Sequence, residues 1–366
     1  TQTCEDMLML PIQFNQRTLE WVSYHQWEWY AQKRAYSKKC SGCHEVGLTL
    51  TADAGGLVTQ YAAADYRIGC EKCHGPGSSH VTGGGDVNKI MNPDHMTVEA
   101  AVEVCGQCHS RGLDSVDGDF GFPWRSDVAD FDGNFVAGLH TLDYEPVDAP
   151  EGYFFQKPGN WPTGFPKSHR QQYNSYLNSA HLDNPFDKLA CNDCHSPHSG
   201  KGGPFRFSTD DFGGNDFLFA DNSNALMSNV RCLSCHASFG PFATLTKDDI
   251  AVYHISRGGS VEKNGVALAP DAAEQTSAED LVEQAVKTHS GEAAGMPLAP
   301  YLPENSHIPA NYTIGEGPVG RCTSCHMTKT AKSGSWFVDD DGLYIAGDNS
   351  DHSFEVVTVQ PNTDQP

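Results

Sequence analysis

The sequence predicts a fold of mostly irregular coil with a few short α-helices and little β-structure, centred on something other than an ordinary apolar core. Only 38% of the 366 residues are hydrophobic, while Gly and Pro number 36 and 21. The chain also carries 13 cysteines and 17 histidines, far more than a soluble domain of this size needs. Thiolate and imidazole groups are metal ligands. We therefore expect bound metal groups, rather than Leu and Val side chains, to organise the chain.

Twelve of the thirteen cysteines fall in six copies of the motif Cys-x-x-Cys-His. Two thiols at this spacing can both reach the vinyl groups on one edge of a haem, and the next imidazole can reach the iron, as in c-type haem attachment. Zinc knuckles and thioredoxin-type pairs also use Cys-x-x-Cys, but neither needs a His after every second Cys. The predicted cofactors are therefore six haem c groups with their iron, and the fold class is a multihaem cytochrome c whose coil wraps around a chain of stacked haems. The predicted thioether residues are Cys40, Cys43, Cys70, Cys73, Cys105, Cys108, Cys191, Cys194, Cys232, Cys235, Cys322 and Cys325, and the predicted proximal iron ligands are His44, His74, His109, His195, His236 and His326.

Eleven histidines remain to supply the second axial ligand of each iron. Six of them would close every iron as a low-spin bis-His centre, which favours electron transfer and denies substrates a site. Any single one can equally be an ordinary surface histidine. The eleven are His25, His80, His95, His140, His169, His181, His198, His254, His289, His307 and His352.

Three segments predict helices. Residues 17–36 carry an aromatic residue at every third position from Trp21 to Tyr30, which predicts a helix that covers a haem or forms a subunit contact, or one that is simply packed. Thr97 is a candidate N-cap for a helix with Ala101 and Val102 on its buried face, which would deliver the third motif. Ser277 is the candidate cap of another, with Leu281 and Val282 buried and His289 just past its end.

Glycine-rich and acidic segments predict loops at 75–85, 114–165 and 200–222. The motifs fall into two groups of three. We therefore predict an N-terminal three-haem module at 1–115, a loop-rich connector at 116–165 and a C-terminal three-haem module at 166–366. Stacked haems would also allow one continuous body.

The formal charge of −23 argues against nucleic acid as a partner, because phosphate binding needs clustered Lys and Arg. It also disfavours anionic lipid and suits docking with basic partners. No run approaches the roughly 18 apolar residues of a membrane span, so no transmembrane segment is expected. The chain opens without an export signal, which suggests an exported protein in its mature form.

Two minor features leave alternatives open. The acidic clusters Asp114, Asp117 and Asp119, and 339–342, suit either calcium or solvated turns. Cys4 stands apart from the motifs as a free thiol, half of an intermolecular disulfide or the remnant of a lost motif.

Several short matches occur in the same order as in a broad group of secreted bacterial and archaeal multihaem cytochromes. The chain resembles this group over roughly residues 40–355 and is similar to extracellular cytochrome nanowire subunits. The matches run from Cys70 to His80, from Val104 to Gly112, over Gly121-Phe122-Pro123, from Ser168 to Tyr173, over Ser179-Ala180-His181, from Cys194 to His198, over Cys325-His326-Met327, and from Asp351 to Phe354.

The resemblance implies that histidines outside the motifs serve as distal iron ligands. Carried over position by position, it gives His80, His169, His181, His198, His289 and His352. The six candidate histidines equal in number the six axial positions that the motifs leave open. The resemblance does not assign which His binds which iron. The chain departs from the group at its N-terminus, where relatives often have a further haem motif and this sequence has only Cys4. His25 is an alternative to one of the six, across a subunit contact if the chain polymerises.

The predicted function is electron transfer through haems. One form is a soluble periplasmic shuttle, and the other is an extracellular or cell-surface filament made by self-association into a homopolymer. The predicted partners are other redox proteins or extracellular electron acceptors. The alternative from another class is a multihaem reductase of a small nitrogen or sulfur oxyanion, which would need an open iron site and a proton donor.

Overall fold

The computed structural model describes residues 10, 12–15, 20–23, 36, 40–46, 49–52, 58–110, 112–114, 153–155, 165–166, 170–185, 188–195, 197–198, 205–207, 216–220, 229–290, 322–327, 329–331 and 349–355. The chain divides into two compact units. Unit 1 comprises Thr1–Asp183 and Lys329–Phe354, and unit 2 comprises Asn184–Thr328 and Glu355–Pro366. The first three motifs belong to unit 1 and the last three to unit 2.

The described part of the chain consists mostly of short helices and strands. The helices are α1 (Ser41–His44), α2 (Glu71–His74), α3 (Ser78–Thr82), α4 (Val98–His109), α5 (Gln172–Tyr176), α6 (Cys191–Cys194), α7 (Val230–His236), α8 (Lys247–Ser256), α9 (Ala272–Ser290) and α10 (Cys322–His326). The strands are β1 (Ile12–Asn15), β2 (Glu20–Ser23), β3 (Thr49–Ala52), β4 (Val58–Ala62), β5 (Gly112–Asp114), β6 (Tyr153–Phe155), β7 (Phe205–Phe207), β8 (Phe217–Ala220), β9 (Ser260–Lys263), β10 (Val266–Ala267), β11 (Lys329–Ala331) and β12 (Asn349–Ser350). Few helices, little strand and much coil agree with the predicted fold class.

Unit 1 contains helix α4 and four two-stranded antiparallel sheets, β1–β2, β3–β4, β5–β6 and β11–β12. The predicted cap is confirmed, because the Thr97 side chain accepts a hydrogen bond from the backbone N–H of Ala100 at 3.3 Å. Ala101 and Val102 are buried, as the spacing predicts. A Cβ on Gly106 would lie 2.9 Å from the ring of Tyr173, so glycine is what lets α4 approach α5.

The prediction of an aromatic helix over 17–36 is wrong at residues 20–23, which form strand β2. Glu20–Ser23 pairs antiparallel with Ile12–Asn15, and this register sets Phe14 opposite Trp21. Their rings meet edge to face with centres 5.4 Å apart. A cross-strand aromatic pair of this kind stabilises a hairpin, and Trp and Val are good strand formers. Residues 17–19 and 24–35 of the predicted helix lie outside the described residues, and Tyr36 is helical.

Unit 2 contains an ordinary apolar core, contrary to the expectation that side-chain packing organises little of the chain. The four-stranded antiparallel sheet runs in the order β10-β9-β8-β7. Helices α7, α8 and α9 belong to the same core. The buried residues are Phe217, Phe219, Val230, Leu233, Ala237, Phe242, Leu245, Ile250, Ala251, Tyr253, Val261, Ala278, Val282 and Val286.

All three predicted loops contain regular structure, and strand β6 lies within 114–165. Strands β7 and β8 lie within 200–222, where Phe217 and Phe219 alternate toward the core among Gly and Asp residues that obscure the pattern. Helix α3 lies within 75–85. In the last two segments the buried or helical residues occupy a few positions inside a segment whose average composition is that of a loop.

Helix α9 begins earlier than predicted. The Asp271 carboxylate accepts hydrogen bonds from the N–H groups of Ala273 and Glu274 at 2.8 and 2.9 Å, so it caps the helix and Ser277 does not. Val282 is buried as predicted, whereas Leu281 is 38% exposed. Starting the helix at Ala272 makes Ala278, Val282 and Val286 the buried face and carries His289 in its last turn.

Candidate haem-binding sites

Every motif places its two cysteines about one helical turn apart. The backbone N–H of the motif histidine donates to the carbonyl of the first cysteine at 3.0 Å in the first and second motifs and 2.9 Å in the fourth. The third, fifth and sixth motifs lie in helices α4, α7 and α10. This turn holds two sulfurs and one imidazole in a fixed relation, which is what covalent haem attachment requires. Among the described cysteines, none is in a disulfide.

In unit 1 the first and third motifs are in contact. The Cys108 sulfur lies 3.7 Å from the carbonyl of Cys43, and the Cys43 sulfur lies 3.9 Å from the carbonyl of Gln107. Because the Cys108 thiol is hydrogen-bonded to Cys43, the pKa of Cys43 falls to about 6, while that of Cys108 is raised. The thiols that would hold two different haems are therefore neighbours.

In unit 2 the same relation joins the fifth and sixth motifs. Cys232 is hydrogen-bonded to Cys322, and this contact raises the pKa of Cys232. Asn229, just before α7, accepts a hydrogen bond from the backbone N–H of Cys322 at 2.8 Å. Helix α7 buries Leu233 and Ser234 and leaves His236 exposed, so the fifth motif lies on the surface of the apolar core.

Four histidines use the Nδ1 nitrogen to bind an oxygen acceptor. His74 donates to the carbonyl of Met91 at 2.7 Å, and His80 to that of Asp86 at 2.9 Å. His352 donates to the carbonyl of Ser350 at 3.0 Å, and His109 lies 3.3 Å from the side-chain oxygen of Gln172. A carbonyl oxygen can only accept, so Nδ1 carries the proton and Nε2 is left as the metal-binding nitrogen. Such a hydrogen bond also fixes the orientation of a ligating imidazole.

His289 and His326 form the most informative pair of histidines in unit 2. Their ring centres are 6.1 Å apart and the ring planes differ by 4°. An imidazole binds a metal at about 2.0 Å and its centre lies about 1.1 Å behind the nitrogen, so two imidazoles on opposite sides of one metal have centres about 6.2 Å apart. The pair fits an iron between the rings. Phe242 meets the His289 ring edge to face at 5.0 Å.

In unit 1, His181 and His352 come together around Phe354. The His181 and Phe354 ring centres are 4.2 Å apart, and those of His352 and Phe354 are 6.2 Å apart. Phe354 has a φ of 61°, a conformation that a bulky residue rarely adopts. Burial lowers the pKa of His352, and repulsion from His109 lowers it further, so the predicted distal ligand His352 lies near the third motif.

His254 has a different environment. Its ring is 1% exposed and its Nε2 binds the carbonyl of Ala220 at 2.9 Å. It meets Phe219 edge to face at 5.4 Å within the unit 2 core. The nitrogen that a haem iron would need is thus engaged with the backbone, and His254 has the contacts of a structural residue.

The remaining candidates are either on the surface or outside the described residues. His44, His195, His198 and His95 are exposed. The residues that lie outside are Cys4, His25, His140, His169 and His307, together with 339–342 and all of the first acidic cluster except Asp114. Within the described ranges, no group of three or more His, Cys, Asp or Glu side chains is arranged to hold a metal ion.

The sequence reasoning missed three cations that bind the attachment turns. Lys72 donates to the carbonyl of Glu45 at 2.8 Å, and Arg231 to that of Asp193 at 2.8 Å. Lys247 donates to the carbonyl of Ser234, and burial lowers its pKa to about 8. Lys72 and Arg231 stand inside or beside a motif in an acidic chain, which was the signal that could have identified them.

Comparison with known proteins gives a match for part of the chain. The family model described as cytochrome c554 and c-prime matches residues 17–75, a segment that contains the first two motifs. The same motif recurs four more times along the chain. Over residues 17–75 the chain is similar to that cytochrome family.

The chain also aligns with a solved structure, the crystal structure of the outer cell wall cytochrome OcwA. The TM-score is 0.44 at 21% sequence identity, and the alignment covers 96% of this chain. The chain spans 62% of the length of that protein. No curated protein sequence matches the chain. In the part of the chain that the structure describes, no helix is both long and apolar enough to cross a membrane.

Proposed function

We propose that the chain is a multihaem c-type cytochrome that binds six haem c groups at its six motifs, mainly with bis-His ligation, and conducts electrons through them. The spacing of His289 and His326 carries the proposal, since ring centres 6.1 Å apart with nearly parallel planes suit two imidazoles on one iron. Haem iron that cycles between ferric and ferrous with both axial positions filled supplies electron transfer without a substrate site. Residues of the chain hold, orient and shield the haem iron.

Two axial pairs are assigned. His326 is the proximal and His289 the distal ligand at the sixth motif. His109 is the proximal and His352 the distal ligand at the third motif, supported by their electrostatic interaction and by the Nδ1 hydrogen bond of each ring. His80, His169, His181 and His198 are left for the other four motifs. His80 has the same Nδ1 arrangement as His74, a proximal ligand.

The sulfur contacts support an order for electron transfer within each unit. Cys43 of the first motif touches Cys108 of the third, and Cys232 of the fifth touches Cys322 of the sixth. Each thioether sulfur is bonded to a carbon that is attached directly to the haem's conjugated ring, so attachment turns in contact bring two haem edges close. Electrons would pass directly between the first and third haems and between the fifth and sixth.

We further propose that the cytochrome works outside the cytoplasmic membrane and self-associates into a conductive filament that delivers electrons to redox proteins or external acceptors. The acidic surface, the surplus of histidines and the resemblance to nanowire subunits support this form. A soluble periplasmic shuttle is its alternative. No observation on the described residues favours a reductase.

The two proposals have separate tests. Paramagnetic resonance of the oxidised protein should show only low-spin haem, six per chain. A substantial high-spin signal from the unmodified protein would contradict full bis-His ligation. Negative-stain microscopy of the native protein should show filaments with a regular repeat, and dispersed particles at high concentration would instead support the shuttle.

A further inference from the structure

Each unit contains a cation that joins two attachment turns. In unit 1, Lys72 belongs to the second motif, and its Nζ donates to the carbonyl of Glu45, the residue after His44 of the first motif. In unit 2, Arg231 immediately precedes the fifth motif, and its Nη1 donates to the carbonyl of Asp193, inside the fourth motif. Both donor–acceptor distances are 2.8 Å.

Both cations lie among the sulfurs that would be attached to haem. Lys72 is 8% exposed and interacts electrostatically with Cys108, Cys43 and Cys73, which represent three motifs. Arg231 is half-buried and interacts with Cys194, Cys232 and Cys235, which represent two. The cation in each unit therefore lies where several haem edges would converge.

A buried cation is costly, and this chain carries few cations to spare. Removing an ammonium or guanidinium group from water is unfavourable unless it is bound by hydrogen bonds or opposite charge. The chain has 24 Lys and Arg against 47 Asp and Glu. Lys72 and Arg231 each donate to a backbone carbonyl of another attachment turn, and each also interacts with a carboxylate, Glu45 and Asp193 respectively.

We propose that Lys72 and Arg231 are positioning residues that tie neighbouring attachment turns together and that their positive charge raises the reduction potential of the haems attached there. This inference rests on the proposed haem binding. A nearby cation opposes the extra positive charge of ferric iron and so favours the ferrous state. The effect is larger for a buried cation than for one in water.

The test is a spectroelectrochemical titration of the full holoprotein. Lys72→Gln and Arg231→Gln each keep a hydrogen-bond donor but remove the charge. Each should move part of the titration to lower potential, by about a tenfold change in the ferrous-to-ferric ratio, which is about 59 mV for a one-electron couple. Lys72→Arg and Arg231→Lys keep the charge and should titrate nearly as the unmodified protein does.

Matched controls are Arg67→Gln in unit 1, where the side chain is 82% exposed, and Arg257→Gln in unit 2, which is paired with Glu283 at 2.9 Å. Both substitutions should leave the reduction potentials unchanged. Curves for Lys72→Gln and Arg231→Gln that superimpose on the unmodified curve would overturn the inference. A Gln variant could also lose haem. Retention of haem in the charge-conserving variant would then support the proposed link between attachment turns, whereas loss of haem in both variants would overturn it.

The two proposals fail in different ways. Absence of low-spin haem in the unmodified protein removes the proposed function itself. If the protein has six low-spin haems but neither charge-removing substitution changes their reduction potentials, only the proposed role of Lys72 and Arg231 is excluded.

Discussion

The imidazole rings of His289 and His326 have centres 6.1 Å apart and planes within 4° of parallel. His289 is delivered by the last turn of α9, whose buried face is anchored in the unit 2 core. His326 ends the sixth motif on α10. An apolar core formed by ordinary packing thus positions one side of the proposed iron site, whose other side comes from an attachment motif.

Replacement of His289 tests the sixth axial pair. His289→Ala should leave the haem count unchanged and convert one haem to a high-spin form that binds carbon monoxide, because the proximal His326 and both thioethers remain. The measurement is paramagnetic resonance together with carbon monoxide difference spectra. His95→Ala, at an exposed histidine without a proposed ligand role, is the control and should keep every haem low-spin. A fully low-spin His289→Ala protein would mean that another group binds that iron.

His254 should behave in the opposite way. Because its Nε2 binds the carbonyl of Ala220 inside the core, His254→Ala should lower the free energy of unfolding by about 2–4 kcal/mol without changing the number of low-spin haems. Urea unfolding and paramagnetic resonance measure the two effects. If folded His254→Ala contained a high-spin haem, His254 would be an iron ligand. A hydrogen bond at Nε2 would then not distinguish structural histidines from ligating ones.

Gly106 lies inside the third motif and should resist even the smallest substitution. Alanine normally stabilises a helix relative to glycine, but here its Cβ would meet the Tyr173 ring at 2.9 Å. Gly106→Ala should therefore cost about 1–3 kcal/mol of unfolding free energy, measured by urea unfolding. Gly77→Ala, where the nearest atom lies at 3.4 Å, is the control and should cost less. Equal stability of the two variants would argue against the tight α4–α5 contact.

Phe354 should show an unusual order of substitutions. Its φ of 61° favours glycine, so Phe354→Gly should be more stable than Phe354→Ala by about 1 kcal/mol. Both variants lose the ring that contacts His181 and His352, and both should be less stable than the unmodified protein. Denaturant unfolding of the three proteins gives the order, and an alanine variant more stable than the glycine variant would exclude the left-handed conformation.

Local features of the site could be predicted from the sequence, whereas long-range ones could not. The Cys-x-x-Cys-His spacing and the Thr97 cap act within a few residues, so the sequence alone predicts them. The pairing of His289 with His326 depends on how α9 packs in its core and where the chain returns at Cys322. No periodicity contains that information.

The errors have physical causes of the same kind. A three-residue aromatic repeat suits a helix, but the pairing of Trp21 with Phe14 on another strand decides the local structure. The segment 200–222 has the composition of a loop, yet two phenylalanines of β8 reach the core. Lys72 and Arg231 were passed over because a cation next to a motif is usually solvated, and only the fold reveals the carbonyl that each one binds.

The most direct test of the central claim is the intact mass of the mature protein under denaturing conditions, combined with a pyridine haemochrome assay. Covalent attachment at every thiol pair predicts a single species that carries six haems per chain, with the c-type spectrum of two thioether bonds at each. A bare polypeptide, a zinc-loaded chain or a species with fewer than six haems would contradict it.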